Sequence, residues 1–387
     1  MTVFPIEQFI EKAKEENRSE KFLQDCVDYI YNLEENGYPV IFSYVHLAIS
    51  MGVESNYINA LTRDGNQLQS SDLVSVERCN SYRDTRYKYF KLRKKSKGFR
   101  IISAPHKDVK YIQKWIYSNI LSKHKLSASC KGFVRGLSIR DNAKVHEGAS
   151  LILKVDLLKF FDTISEKRVF GAFASMGYLK NLSVTMARLC CCTHRRDYWD
   201  SYSELDKDIL IDLFTERPAV LPQGAPSSPM LANIIAKKMD ERFEKLSNLL
   251  GFSYSRYADD LTFSIKEGKK LPSLALIKKI IKEEGFFINP DKIRYIANGK
   301  RQLVTGLSVA NGVHVTKKYR KDIMRHIHFC RKYGVESHLN RQKSFFSNYN
   351  AMSFHDWLYG SICFINSVDL EYSKKLLVQF NKIDWEI

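Results

Sequence analysis

The sequence predicts an α+β fold, and three observations carry that prediction. Residues 252–256 and 261–265 read as short strands around Tyr257-Ala258-Asp259-Asp260, the second alternating apolar and small polar residues. Leu151-Ile-Leu-Lys-Val-Asp156 is an apolar run with a single Lys, the pattern of a strand buried on both faces, and it ends in an acid. Apolar residues at helical spacing fill both ends of the chain.

At 387 residues there is ample length for one large domain or two to three smaller ones. The 61 Lys and Arg against 43 Asp and Glu give a net charge of +18, which points to a polyanionic partner. Aromatics at 12% suit base stacking as well as an ordinary core. The eight cysteines include Cys190-Cys191-Cys192 but show no paired metal-ligand spacing. Even with His194 nearby, consecutive residues on a helix point apart, so buried reduced thiols are a better reading than zinc. No secretory signal and no apolar run long enough for a bilayer is read, so a cytoplasmic protein with no membrane partner is expected.

Taken in order, residues 1–80 form an N-terminal helical region, with apolar residues at Phe9-Ile10, Phe22-Leu23 and Val27 to Ile30. Gly52, between residues 45–49 and 57–61, suggests a helix-turn-helix. The second helix lacks basic residues until Arg63, so a packed helical hairpin is expected instead. Residues 87–93 and 99–105 alternate like paired strands around the basic turn Lys94-Lys-Ser-Lys-Gly98, either a solvated tip or a cationic flap over phosphates. Helices are expected at 110–126, 138–146, 166–176 and 182–192. Residues 195–217 are polar and mixed in charge and read as a surface insertion. Leu221-Pro-Gln-Gly-Ala-Pro-Ser-Ser-Pro229 is a turn-rich loop before an amphipathic helix to about residue 246. Downstream come a helix at 272–284, a turn into a strand at 285–292 and a hairpin at 303–315. The remainder is helical, and residues 317–332 carry seven Lys or Arg against one Asp, which suits a nucleic-acid backbone.

Adjacent carboxylates repel, so Asp259-Asp260 sits best in solvent or around a cation, and an ordinary acidic turn is the alternative. A third carboxylate on another strand tips the balance. Asp156, which Asp162 follows six residues later, can join Asp259 and Asp260 in a set of three carboxylates around two metal ions. Such ions, about 3.5–4 Å apart, activate an attacking oxygen and stabilise a leaving one in phosphoryl transfer. A two-metal nuclease would use the same set, so the carboxylates alone give the reaction class.

The ordered set is a basic hairpin, a strand ending in Asp156, Leu-Pro-Gln-Gly, Tyr-Ala-Asp-Asp, Gly285-Phe-Phe-Ile-Asn-Pro-Asp-Lys292, then a hairpin and helices. In this order the chain resembles the reverse transcriptases over roughly residues 85–330. The resemblance implies a right-hand polymerase, with fingers over 81–150, a ferredoxin-like palm over 151–315 and a helical thumb over 316–387. Asn142-Ala-Lys-Val-His146 and Val304-Thr-Gly306 resemble two signatures of bacterial retron reverse transcriptases. The Gln-Gly-Ala-Pro-Ser-Ser-Pro loop fits retron and group II intron enzymes and not the diversity-generating ones. No maturase or endonuclease extension is read after the thumb. The insertion at 195–217 is longer than the family pattern.

By that resemblance Asp156, Asp259 and Asp260, joined by the Leu157 carbonyl, hold two Mg²⁺ ions, with Mn²⁺ as a substitute. Phe161 matches the steric gate that excludes a 2′-hydroxyl, and Gln223 contacts the incoming nucleotide or its template partner. Arg100, with Lys94 or Lys97, clamps the triphosphate. Lys292 matches a lysine that protonates the departing pyrophosphate, the alternative being a lysine that merely ends a strand. Asn142 and His146 serve the family's RNA or brace the fingers, and Lys317, Lys318, Arg320, Lys321 and Arg325 grip RNA. The implied activity is RNA-directed DNA synthesis from deoxynucleoside triphosphates. A retron enzyme would copy a cognate structured non-coding RNA into a branched, RNA-primed single-stranded DNA, in anti-phage defence with an effector protein of the same operon. Two other readings are a defence-associated or group II intron-derived reverse transcriptase with a different template, and an RNA-binding scaffold without chemistry. The intact carboxylates, Phe161 and Gln223 disfavour the last.

Overall fold

The computed structural model describes residues 4–63, 86–93, 99–194 and 196–385, so the basic turn with Lys94 and Lys97 lies outside the described residues. Two units form. One comprises residues 1–133, 157–242 and 274–289, the other residues 134–156, 243–273 and 290–387. The chain therefore passes from one unit to the other and back, and the linear boundaries at 80, 150 and 315 do not coincide with this division.

In the first unit two of the N-terminal helices begin at side-chain caps. Ser19 accepts from the Phe22 amide at the start of Glu20–Glu35, and Ser43 from the His46 amide at the start of Tyr44–Met51. Tyr44–Met51 ends at Gly52, and Ser55–Thr62 follows with Ile58, Leu61 and Thr62 buried. Arg86 and Arg188 donate to the carbonyls of Leu61 and Thr62 at 2.8 and 2.9 Å, so this second helix is packed and capped inside its unit. It is the packed helical hairpin of the two readings.

Strands β1 (Tyr87–Arg93) and β2 (Phe99–Pro105) pair antiparallel from Tyr87↔Pro105 to Arg93↔Phe99. The Leu-Pro-Gln-Gly loop docks on β2, where the Ser103 amide donates to the Gln223 carbonyl at 2.8 Å. Gly224 adopts φ +131°, and a Cβ there would lie 2.8 Å from Ile102 Cγ2 and 3.0 Å from the Ser103 carbonyl oxygen. A side chain would push the loop off the strand. Helices Lys107–Asn119, Glu166–Ser175, Lys180–Cys190 and Leu274–Glu283 occupy the expected regions, the first giving way to a 3₁₀ turn at Leu121–Lys123. Arg168 spans the carbonyls of Gly285 at 2.9 Å and Glu284 at 2.7 Å and stacks over Phe286, fixing the turn into Phe286-Phe287.

The insertion departs from its expected surface placement. Trp199, Tyr202 and Leu210 are buried, Trp199 packs on Tyr202 and Phe214, and the Tyr198 ring stacks on His194 at 3.7 Å. Average polarity concealed four aromatic anchors. Cys190, Cys191 and Cys192 are wholly buried thiols, as the sequence suggested.

The second unit is built on strands β3 (Leu151–Asp156), β4 (Ser253–Tyr257), β5 (Asp260–Ile265) and β6 (Arg294–Ala297). Their order is β4-β5-β3-β6 with every pair antiparallel, the ferredoxin-like arrangement. Where a hairpin was expected, three short strands form: β7 (Leu303–Val304), β8 (Leu307–Ser308) and β9 (His314–Val315). Val304, Leu307, Val309 and Val315 share one core with Ile152, with Ile323 and Ile327 of helix Lys317–Tyr333, and with Phe354 and Leu358 of helix Ala351–Asn366. The strands expected in a palm and the helices expected in a thumb thus share one hydrophobic core with no break at residue 315. Among the described residues no helix is long and apolar enough to cross a membrane.

Candidate active site

The register between β3 and β5 sets Asp156 directly opposite Asp260. Strands β4 and β5 are joined through Ala258 and Asp259, with Tyr257 paired to Asp260. Ala258 takes φ +58°, a left-handed position that costs an L-residue about 1–2 kcal/mol. The fully buried Arg256 holds that turn by donating through Nη1 to the Ala258 carbonyl at 3.1 Å. Three acids are therefore delivered to one end of one sheet.

Like charges facing each other across a ladder repel, and burial sharpens the effect. Burial pushes the Asp156 carboxyl above its ordinary range and Asp260 adds to the push, while Lys292 opposes it. Asp259 is pushed up to about 6 by burial and then by Asp156 and Asp260. Lys292 lies in the 3₁₀ turn Pro290–Lys292 just before β6, and its Nζ is 2.8 Å from both Asp156 oxygens. It precedes a strand instead of ending one, and it is a charge partner of the cluster.

Asn142 and His146, expected among the RNA contacts, are turned inward with only 1% of each exposed. This corrects their assignment as RNA-facing side chains. His146 bridges the acidic hairpin, with Nε2 2.7 Å from Ser255 Oγ on β4 and Nδ1 2.7 Å from Ser264 Oγ on β5. Ser255 gives its one proton to Asn142 Oδ1 at 2.7 Å, so it accepts from His146 Nε2–H, and His146 Nδ1 accepts from Ser264. The imidazole is neutral, its pKa pushed down to about 3 by burial and by Lys154. Asn142 rides on helix Ile139–Lys144, which starts at a Ser138–Asp141 capping box. The Thr305 hydroxyl, from the second retron-like signature, donates at 3.0 Å to the Ile139 carbonyl at the start of the helix that carries Asn142.

On helix Lys317–Tyr333 the basic residues divide. Lys317, Lys318, Lys321 and Arg325 are exposed. Arg320 turns inward to Asp369 at 3.6 Å and lies over the Tyr372 ring, which corrects its place among the RNA contacts. The remaining expected residues lie in the other unit. Leu157 is buried and forms an antiparallel bridge with Ile288. Phe161 is half-buried with its ring 5.5 Å from that of Phe160. Gln223 is half-buried in the loop tied to β2, and Arg100 is exposed on that strand opposite Leu92.

The donor set suits a hard divalent cation, because Asp156, Asp259 and Asp260 offer only oxygens and repel one another without one. Among the described residues no group of three or more acids, histidines or cysteines is arranged to hold a metal ion together. The Asp156 carboxylate is turned onto the Lys292 ammonium, a cation that stands where compensation is needed.

The family described as "Reverse transcriptase (RNA-dependent DNA polymerase)" matches residues 92–329. The retron Ec86 reverse transcriptase of Escherichia coli is 34% identical over 300 residues, covering 76% of this chain and 85% of that protein. The retron Ec73 reverse transcriptase of Escherichia coli is 30% identical over 313 residues, covering 77% and 88%. The retron Mx162 reverse transcriptase of Myxococcus xanthus is 34% identical over 236 residues, covering 58% of this chain and 47% of that protein.

The neutral brace gives stability a sign with pH. Above about pH 6.5, the ordinary histidine value, His146 is neutral folded and unfolded, and its contribution is complete. Below that the unfolded chain takes up a proton that the folded one refuses until about 3, so stability falls by up to about 1.4 kcal/mol per pH unit. Urea unfolding between pH 7.5 and 5 should show a smaller loss for His146→Gln than for the wild type, each relative to its own value at pH 7.5. Equal losses would contradict the buried neutral imidazole.

Lys292→Met removes the ammonium while keeping the stem. In a chelator its melting temperature should fall below that of the wild type. Added Mg²⁺ should then raise it by more than in the wild type, because the ion takes over the lost compensation. Identical Mg²⁺ shifts in both proteins would show that Lys292 and the cation do not share Asp156.

Proposed function

The chain belongs to the reverse transcriptases, RNA-directed DNA polymerases of right-hand α+β fold, and we propose that it works as a retron enzyme. In this reading it copies a cognate structured non-coding RNA into single-stranded DNA, starting from a 2′-hydroxyl of that RNA and leaving a branch. The observation that carries it is the likeness to retron enzymes at 30–34% identity over about three quarters of the chain. The exposed basic face of helix Lys317–Tyr333 supports it as a surface for an RNA backbone. The further proposal is a cytoplasmic role in anti-phage defence beside an effector protein of the same operon.

The family implies a divalent metal. Two such ions, Mg²⁺ or in its place Mn²⁺, held by Asp156, Asp259 and Asp260 with the Leu157 carbonyl, would activate the attacking oxygen and stabilise the leaving one. The side chains do the remaining work. Lys292, bonded to Asp156, in this reading gives a proton to the departing pyrophosphate. Phe161 excludes the ribose 2′-hydroxyl, Gln223 contacts the new base pair, and Arg100 with Lys94 or Lys97 binds the triphosphate. Lys317, Lys318, Lys321 and Arg325 grip the RNA. Starting from an internal ribose demands that the folded RNA be held in place, and a misplacement of about 1 Å can cost a hundredfold.

Asp260→Asn should lower primer extension by about two to three orders of magnitude, the several kcal/mol that metal assistance supplies. RNA affinity, resting on dispersed Lys and Arg contacts, should stay near the wild-type value in filter binding. Extension at the wild-type rate would remove the acid cluster from the chemistry.

Replacing Lys317, Lys321 and Arg325 together by Ala should suppress self-primed synthesis on the cognate RNA more than extension of a pre-annealed DNA primer. The log–log salt dependence of RNA binding should become shallower by about two to three, one phosphate contact per residue. An unchanged salt slope would take this face away from the RNA.

A further inference from the structure

Asp162 follows Phe161 directly and is buried. Both of its oxygens are taken by tyrosines of the insertion. Tyr198 Oη donates to Oδ1 at 2.9 Å, and Tyr202 Oη donates to Oδ2. A buried carboxylate persists only where its lone pairs are filled, so the two hydroxyls are conditions of this local fold. On the other side of Phe161, Lys159 adopts φ +47°. Its Nζ sits 3.6 Å from the Tyr202 ring centroid and 3.7 Å from Asp206, again in the insertion.

Phe161 is thus a half-buried ring on a short segment pinned on both sides to the same element. Within the segment the Thr163 amide donates to the Lys159 carbonyl at 3.0 Å and the Ile164 amide to the Phe161 carbonyl at 3.1 Å. The pinning element is itself rigidly backed. Tyr202 packs against Trp199 and Phe214, and Tyr198 stacks on His194. The flanks of the insertion are joined where Cys192 and Val220 exchange two backbone hydrogen bonds, each 2.9 Å long.

We propose that the insertion at 195–217 sets the position of the sugar gate. Tyr198 and Tyr202 act through Asp162, and Tyr202 with Asp206 through Lys159, as positioning residues that hold Phe161 at the height needed to exclude a ribonucleotide. The proposal rests on the reading of Phe161 as the gate. A cluster that only stabilised the fold would, when weakened, lower the use of both nucleotide types by the same factor. A positioning cluster changes their ratio.

The test is single-nucleotide insertion by purified full-length enzyme, with kcat/KM measured for a deoxynucleotide and its ribonucleotide counterpart. Phe161→Ala should give the largest fall in the discrimination ratio. Tyr198→Phe with Tyr202→Phe should lower the ratio by about tenfold, the scale of a displacement well short of the 1 Å that costs about a hundredfold. The fall should come mainly from a better ribonucleotide kcat/KM. Asp162→Asn, which keeps the shape and loses the charge, should move the ratio the same way and carries the test if the double variant does not fold. If Phe161→Ala relaxes selection while the tyrosine and Asp162 variants keep the wild-type ratio, the positioning role is wrong and the gate stands. If Phe161→Ala leaves the ratio unchanged, the gate reading falls and this inference with it.

Discussion

Asp156 faces Asp260 only because β3 and β5 pair in one particular register, and a slip of one residue would send every side chain of a strand to the opposite face. That register brings together charges that burial makes costly, so the surrounding structure is arranged to hold it. At the far end of the pair the Ser150 amide and hydroxyl both reach the Ile265 carbonyl. At the near end Arg256 holds the turn carbonyl, Lys292 offsets Asp156, and a neutral His146 ties β4 to β5. The repulsion that these contacts contain is also what gives the cluster its appetite for a cation.

Much of this was legible in the sequence, for physical reasons. The apolar run ending at Asp156 and the alternating flank at residues 261–265 gave two strands and their acidic ends. The order of motifs then gave the polymerase. What escaped was the inward use of polar residues. Asn142 and His146 read as RNA contacts or as braces of the fingers, and not as buried ties to the acidic hairpin. The signal for that burial lay in Ser255 and Ser264, small hydroxyls inside buried strands that need partners. Arg320 could have been separated from its neighbours by helical period. It lies three and seven residues from the buried Ile323 and Ile327, whereas Lys317, Lys321 and Arg325 repeat every four on the other side. In the insertion, mean polarity concealed Tyr198, Trp199, Tyr202 and Phe214, which are spread over short helices and the bend between them.

The division of the chain could not be read as a series of cuts. Residues 134–150, expected in the fingers, belong to the unit that holds the sheet, and the helices expected to form a thumb share their core with β7 to β9. The signatures that suggest a retron enzyme share this architectural character. Thr305 meets Ile139, and Asn142 and His146 lock the hairpin with Asp259 and Asp260, so these motifs act first on the geometry of the acids. The proposed grip on the RNA then rests on exposed cations such as Lys317, Lys318, Lys321 and Arg325. In this view specificity and catalysis are carried by different faces of the same hydrophobic body.

The most direct test of the account is to purify the full-length protein from cells carrying its own locus and sequence the nucleic acid that stays bound, before and after treatment with debranching enzyme. The account predicts a single structured RNA joined through an internal 2′-hydroxyl to a DNA complementary to part of it, with the two separating only after debranching. A heterogeneous RNA population, or a DNA with no branch to its template, would contradict it.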